Sequence, residues 1–219
     1  SLFFFQIKKQ QSEYHKNELQ VWASMKEGIT YIYRTKEILG ALCLDMFAVL
    51  FGGAVAMIPV FASDILKVGA DGFGLLNAAS DIGSMMIIVT LSFIPLRKNQ
   101  GKILIGVVAG FGLCIIGFGL SKLYWLSFLF LMLSGIFDGI SVVIRGTIVQ
   151  LKTPDHIRGR VMSANSIFIM SSNEMGQFES GVAAKLLGVV RSVVFGGTMT
   201  VLIALFVGKF VPKLRKMEY

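Results

Sequence analysis

Residues Val161–Leu187 read VMSANSIFIMSSNEMGQFESGVAAKLL. The stretch is long enough to cross a bilayer as a helix, yet its middle carries Ser171, Ser172, Asn173, Glu174, Gln177, Glu179 and Ser180. An ionisable residue deep in a membrane helix costs about 2.5 to 3.5 kcal/mol on insertion scales, so it faces protein or water rather than acyl chains. At roughly 100° per residue, Asn173, Gly176, Gln177, Ser180 and Gly181 share one broad face, with Glu174 on one flank and Glu179 and Ser172 on the other. The pattern predicts a polar path through a membrane, one face lining a cavity and the flanks meeting neighbouring helices.

Composition agrees with a membrane setting. Hydrophobic residues make up 54% and charged residues 16% of the chain, and the mean hydropathy is +0.72, far from a soluble domain of about 25% charge. The net charge of +8 does not signal nucleic acid. Its Lys and Arg fall in clusters between apolar segments rather than along a basic stripe on a soluble fold. Cys43 and Cys114 both lie inside apolar segments and read as free thiols acting as small hydrophobes. His15 and His156 stand alone in polar stretches, so no metal site and no cofactor is expected.

Outward from Val161–Leu187, five further apolar spans of near crossing length give six in all. They are expected at 38–62, 73–96, 103–120, 125–149, 161–187 and 192–211, forming one all-α membrane domain over 38–212. Ser1–Phe5 is too short for a signal-peptide core and reads as the end of a preceding transmembrane helix. Residues 6–37 form a basic linker. Within it Val21, Trp22, Met25, Ile29, Ile32 and Tyr33 recur at three- and four-residue steps, which fits an amphipathic helix on the membrane surface or a solvated linker helix. Residues 213–219 form a tail.

Sixteen of the 21 Lys and Arg residues fall on one side of this arrangement, four fall on the other, and Arg145 lies inside a span. That asymmetry places both termini of the segment in the cytoplasm, and the expected location is the plasma (inner) membrane, as a multi-pass protein. Charges in the span interiors are uneven: Asp45 in the first, Asp81 in the second, Asp138 and Arg145 in the fourth, Glu174 and Glu179 in the fifth, and none in the interiors of the third and sixth. The period of three predicts two three-helix repeats, with spans one, two, four and five around something polar. Gly135 and Gly139 make a small-xxx-small step that permits close packing.

The six-span unit, the basic linker before it and Asp155-His156-Ile157-Arg158-Gly159-Arg160-Val161 resemble the C-terminal half of a major facilitator superfamily transporter. Leu44-Asp45, Ile58-Pro59-Val60-Phe61-Ala62, Gly74-Leu75-Leu76 and Ser172-Asn173-Glu174-Met175-Gly176 are similar in order and spacing to the branch of bacterial exporters that includes the enterobactin exporter and the macrolide-efflux proteins. The resemblance covers nearly the whole chain. It implies a twelve-helix fold whose N-terminal six-helix half is the partner of this one. It also implies that the first helix of each triplet lines a central cavity, the second forms the interface between halves and the third faces lipid. Asp45, Asp138 and Arg145 would then line the cavity, with Asn173, Glu174 and Gln177 near its wall.

The expected function is secondary active export of a small organic molecule, siderophore- or drug-like, driven by protons through alternating access. A carboxylate carried from water into a dry cavity holds a proton more tightly and releases it when the site opens to the other side. Glu174, Asp138 and Asp45 are the candidates for that role, each equally readable as a member of a structural interhelical pair. Asp138 and Arg145 lie seven residues apart, about 10 Å along one helix at 1.5 Å per residue, so each is expected to find a partner on another helix. Asp155, Arg158, Gly159 and Arg160 form a loop motif that stabilises the inward side or binds lipid phosphate. The alternative is a non-transporting accessory or truncated six-helix protein that acts only with a partner half. No metal-binding helix, nucleophile elbow, P-loop or Cys-x-x-Cys marks an enzyme.

Overall fold

The computed structural model describes residues 18–94, 96, 98–211 and 215. The expected helix end at 1–5, the first part of the linker and most of the tail lie outside the described residues. Within those residues the chain is helical throughout, with no strand. The helices are α1 (Glu18–Arg34), α2 (Lys36–Phe51), the single turn α3 (Ile58–Val60), α4 (Ala70–Phe93), α5 (Gln100–Leu120), α6 (Tyr124–Lys152), α7 (Arg158–Leu187) and α8 (Val189–Phe210). Five segments are long and apolar enough to span a membrane: Lys36–Ile65, α4, α5, α6 and α8. The sixth, α7, is 30 residues long, but its polar middle sets it apart from the other five.

The first span is not one regular helix. It breaks at Gly52-Gly53, continues as a 3₁₀ turn over Ala54–Met57 and α3, and ends in a π turn over Phe61–Ile65. A break inside a bilayer frees carbonyls that only protein can cover. Here the Val49 and Leu50 carbonyls lie against Gly176 of α7, and the Phe51 carbonyl against Gly196 of α8. The Thr200 hydroxyl, fully buried on α8, is 3.2 Å from the Ala48 carbonyl and 3.0 Å from its own Gly196 carbonyl. Glycine at 176 and 196 is what allows this approach, since a Cβ at either would collide with the α2 backbone.

The packing repeats with the period that the intramembrane charges carry. In each triplet the second helix packs on the first helix of the other: α4 on α6, and α7 on α2. The two third helices, α5 and α8, pack on each other, and each also packs on the first helix of the opposite triplet. The closest seams run through small residues. A Cβ on Gly135 would overlap the Ser80 carbonyl, one on Gly83 would overlap the Met132 carbonyl, and Gly112 faces Gly197 across α5 and α8. Small residues replace the hydrophobic effect as the means of helix association where the solvent is itself apolar.

Two apolar cores fill the bundle. One gathers Ile38, Leu44, Leu104, Ile148 and Val161. The other gathers Ile58, Phe61, Leu76, Phe118 and Leu131, with the Phe61 and Phe118 rings 4.5 Å apart. Leu113, Leu202, Leu205 and Phe206 on the outer sides of α5 and α8 stay exposed, the solution expected where lipid replaces water. Broad open faces also run along α4, with Met85, Met86 and Phe93, and along α7, with Met170, Met175 and Phe178.

Helix α1 docks across one end of this bundle. Ile32 is fully buried in the first core, and Gly28 presses on the backbone of Arg160 and Val161. The Tyr31 hydroxyl donates to the Lys152 carbonyl at the end of α6. The apolar stripe read from the sequence is therefore divided, because Ile29 and Ile32 turn inward while Trp22 and Tyr33 stay exposed.

Candidate functional site

Helices α2 and α6 bring the intramembrane charges together. Arg145 Nη1 on α6 donates to Asp45 Oδ2 on α2. Both residues are 6% exposed, so this is a desolvated pair. Such a pair gains little net stability from being charged, but removing one partner strands the other at a cost of about 3 to 5 kcal/mol. Asp138 and Ser141 precede Arg145 on α6 by seven and four residues, which puts all three on one helical face. Asp45, Asp138 and Ser141 line one small pocket between α2, α5 and α6, together with Val49, Val107 and Phe111. Two carboxylates and one guanidinium thus meet inside an apolar bundle, a group able to change its protonation by one.

The polar face of α7 is split by the packing. Ser172, Gly176 and Ser180 are buried. Gly176 and Ser180 close on Gly53, where a Cβ would meet the Ser180 hydroxyl at 2.7 Å and the Gly176 carbonyl at 2.8 Å. Asn173, Glu174 and Gln177 are exposed along the open side of the helix. Glu174 and Glu179 border a groove of about 690 Å³ whose remaining lining, including Leu50, Phe178 and Val182, is apolar. Glu174 is therefore not brought together with Asp45, Asp138 and Arg145. The sequence-derived residues form two separate groups, an enclosed one on α2 and α6 and an open one on α7. Arg145 finds its partner on another helix, Asp45 of α2. Asp81 is exposed on α4.

The loop before α7 is held by charges of its own. Arg158 pairs with Asp155 one turn earlier, and Arg160 pairs with Glu27 of α1. Gly159 has open space around it. Glu27, Ser141 and Thr200 were not singled out by sequence reasoning. Ser141 carried a signal, its position midway between two charges on one face; Glu27 and Thr200 carried none that a single chain displays. Among the described residues no group of three or more His, Cys, Asp or Glu side chains could hold a metal ion.

A sequence model for the family described as transmembrane secretion effector, of the major facilitator type, matches residues 2–219. No curated protein and no solved structure matches the chain. The match runs through the docked linker helix and the helices from α2 to α8, and it points to transport rather than to enzymatic chemistry. Small molecules and lipid are the ligands such a membrane protein meets. The chain belongs to the transmembrane secretion effector family of major facilitator-type membrane transporters.

Proposed function

We propose that this chain is the C-terminal half of a proton-coupled exporter of small organic molecules of siderophore or drug type, working by alternating access. The observation that carries the reading is the buried Asp45–Arg145 pair with the half-buried Asp138 beside it, next to a broken first span, because a largely desolvated charge group with one carboxylate in excess can take and release a proton. Asp45, Asp138 and Glu174 are the proton-coupling candidates. Asn173 and Gln177 form the wall that substrate passes, and Arg145 fixes the charge group behind it. Asp155, Arg158, Gly159 and Arg160 brace the loop on the cytoplasmic side, where both termini of the segment lie by the distribution of Lys and Arg. The open face of α4 and the Met175 and Phe178 side of α7 are where an N-terminal six-helix half packs, leaving Asn173 and Gln177 to the path between the halves, and the plasma (inner) membrane is the site of action. The resemblance to the enterobactin-exporter and macrolide-efflux branch supports export as the direction.

The test is flux through the complete protein in liposomes loaded with a macrolide or a catecholate siderophore. An imposed pH gradient should drive release, and a protonophore should abolish it. Release that is unchanged when the gradient collapses would refute proton coupling.

A further inference from the structure

We propose that Asp138 is the carboxylate that binds the proton, reached through a single water held by Ser141; this rests on the proton-coupled reading above and deepens it. Three observations carry it. Asp45, Asp138 and Arg145 sum to one negative charge, and the guanidinium is engaged with Asp45. Asp138 has no ion-pair partner among the described residues, so the excess charge resides there.

The second observation is the pocket that Asp45, Asp138 and Ser141 share, about 10 Å³ in volume. That is near the lower limit for one water. The third is an unsatisfied atom. Ser141 is 3% exposed, and its Oγ has no hydrogen-bond partner. Two other hydroxyls on the same helix bond back to its backbone, Ser134 to the Leu131 carbonyl at 2.7 Å and Thr147 to the Val143 carbonyl at 2.8 Å; Ser127 shares the unpaired state of Ser141 but does not line this pocket. A buried hydroxyl left unpaired is costly, and a water with two to four polar partners is the usual way to satisfy it.

The remaining titratable groups on the surrounding helices do not line this pocket. Cys43 is on α2, and Lys102 and Cys114 are on α5. Arg191 and Lys209 sit near the ends of α8, Asp81 is exposed on α4, and Glu174 borders the separate groove on α7. In the step itself the water gives a proton to an Asp138 carboxylate oxygen and takes one from the solvent side. The water is conserved and the cluster passes from one negative charge to none. A neutral cluster tolerates closure against water better than a charged one, which is the link from proton binding to alternating access.

Infrared difference spectroscopy of the complete protein in lipid, titrated with pH, reads this without a transported substrate. A band of a protonated carboxyl in apolar surroundings should appear as pH falls, vanish in Asp138→Asn and persist in Asp81→Asn. Ser141→Ala removes the hydroxyl that holds the water and should shift the frequency of the band, because the carboxyl loses a water-mediated hydrogen bond. A band that survives Asp138→Asn, that disappears instead in Glu174→Gln, or that sodium ions displace at constant pH overturns the assignment. The two proposals fail separately. If the band belongs to Asp138 but a pH gradient drives no release, proton-coupled export falls and the proton site stands. If a gradient drives release and the band survives Asp138→Asn, export stands and the site falls.

Discussion

At the scale of single residues, the bundle spends one arginine on two carboxylates. Arg145→Met leaves Asp45 desolvated and unpaired and should destabilise the protein by about 3 to 5 kcal/mol. Adding Asp45→Asn should restore most of that loss, since a matched neutral pair removes the stranded charge. Thermal unfolding of the purified single and double variants checks this, and losses that simply add would show that the pair is not coupled. The charges themselves were legible in the sequence because an ionisable residue in an apolar span is conspicuous. Their grouping was not, since partners on α2 and α6 are one hundred residues apart and periodicity relates only residues within one helix. Ser141 went unread for a different reason. A serine in a membrane helix ordinarily bonds back to its own backbone, and only the packed structure shows that this one does not.

At the scale of helices, glycine seams decide which spans touch. Gly135→Val would push its side chain into the Ser80 backbone of α4 and should cost well over the about 1 to 3 kcal/mol of ordinary overpacking, because backbone cannot yield as a side chain does. Gly106→Ala on α5 meets nothing within 4 Å and should be neutral or slightly stabilising, since alanine is the better helix former. Unfolding temperatures in detergent separate the two, and equal losses would mean that the seams are not what holds α4 to α6. The Gly135 and Gly139 step was visible in the sequence as a packing signal. The break at Gly52-Gly53 was not, because apolar residues run through it without interruption and its freed carbonyls are covered by Gly176 and Gly196, residues more than 120 positions away. Likewise the length and polarity of α7 were readable, whereas the inward turn of Gly176 and Ser180 depends on where Gly53 sits.

At the scale of the whole molecule, the two triplets share one pattern of cross-packing, first helix against the other's second and third, and the second helix of each keeps one face open. The alternation of charged and uncharged spans foretold that repeat, because lipid and polar surroundings sort side chains as strictly as water and core do in a soluble protein. The open side of α7 is where the account commits itself, since Asn173 and Gln177 should meet water in the complete protein while Leu113 and Leu205 meet lipid. The most direct measurement replaces each of these four residues singly with cysteine in a Cys43→Ala, Cys114→Ala background and reads labelling of the membrane-embedded protein by a water-soluble maleimide. Rapid labelling at 173 and 177 with none at 113 and 205 is the predicted result. Unreactive cysteines at 173 and 177, or reactivity equal at all four positions, would contradict a water-filled path along α7.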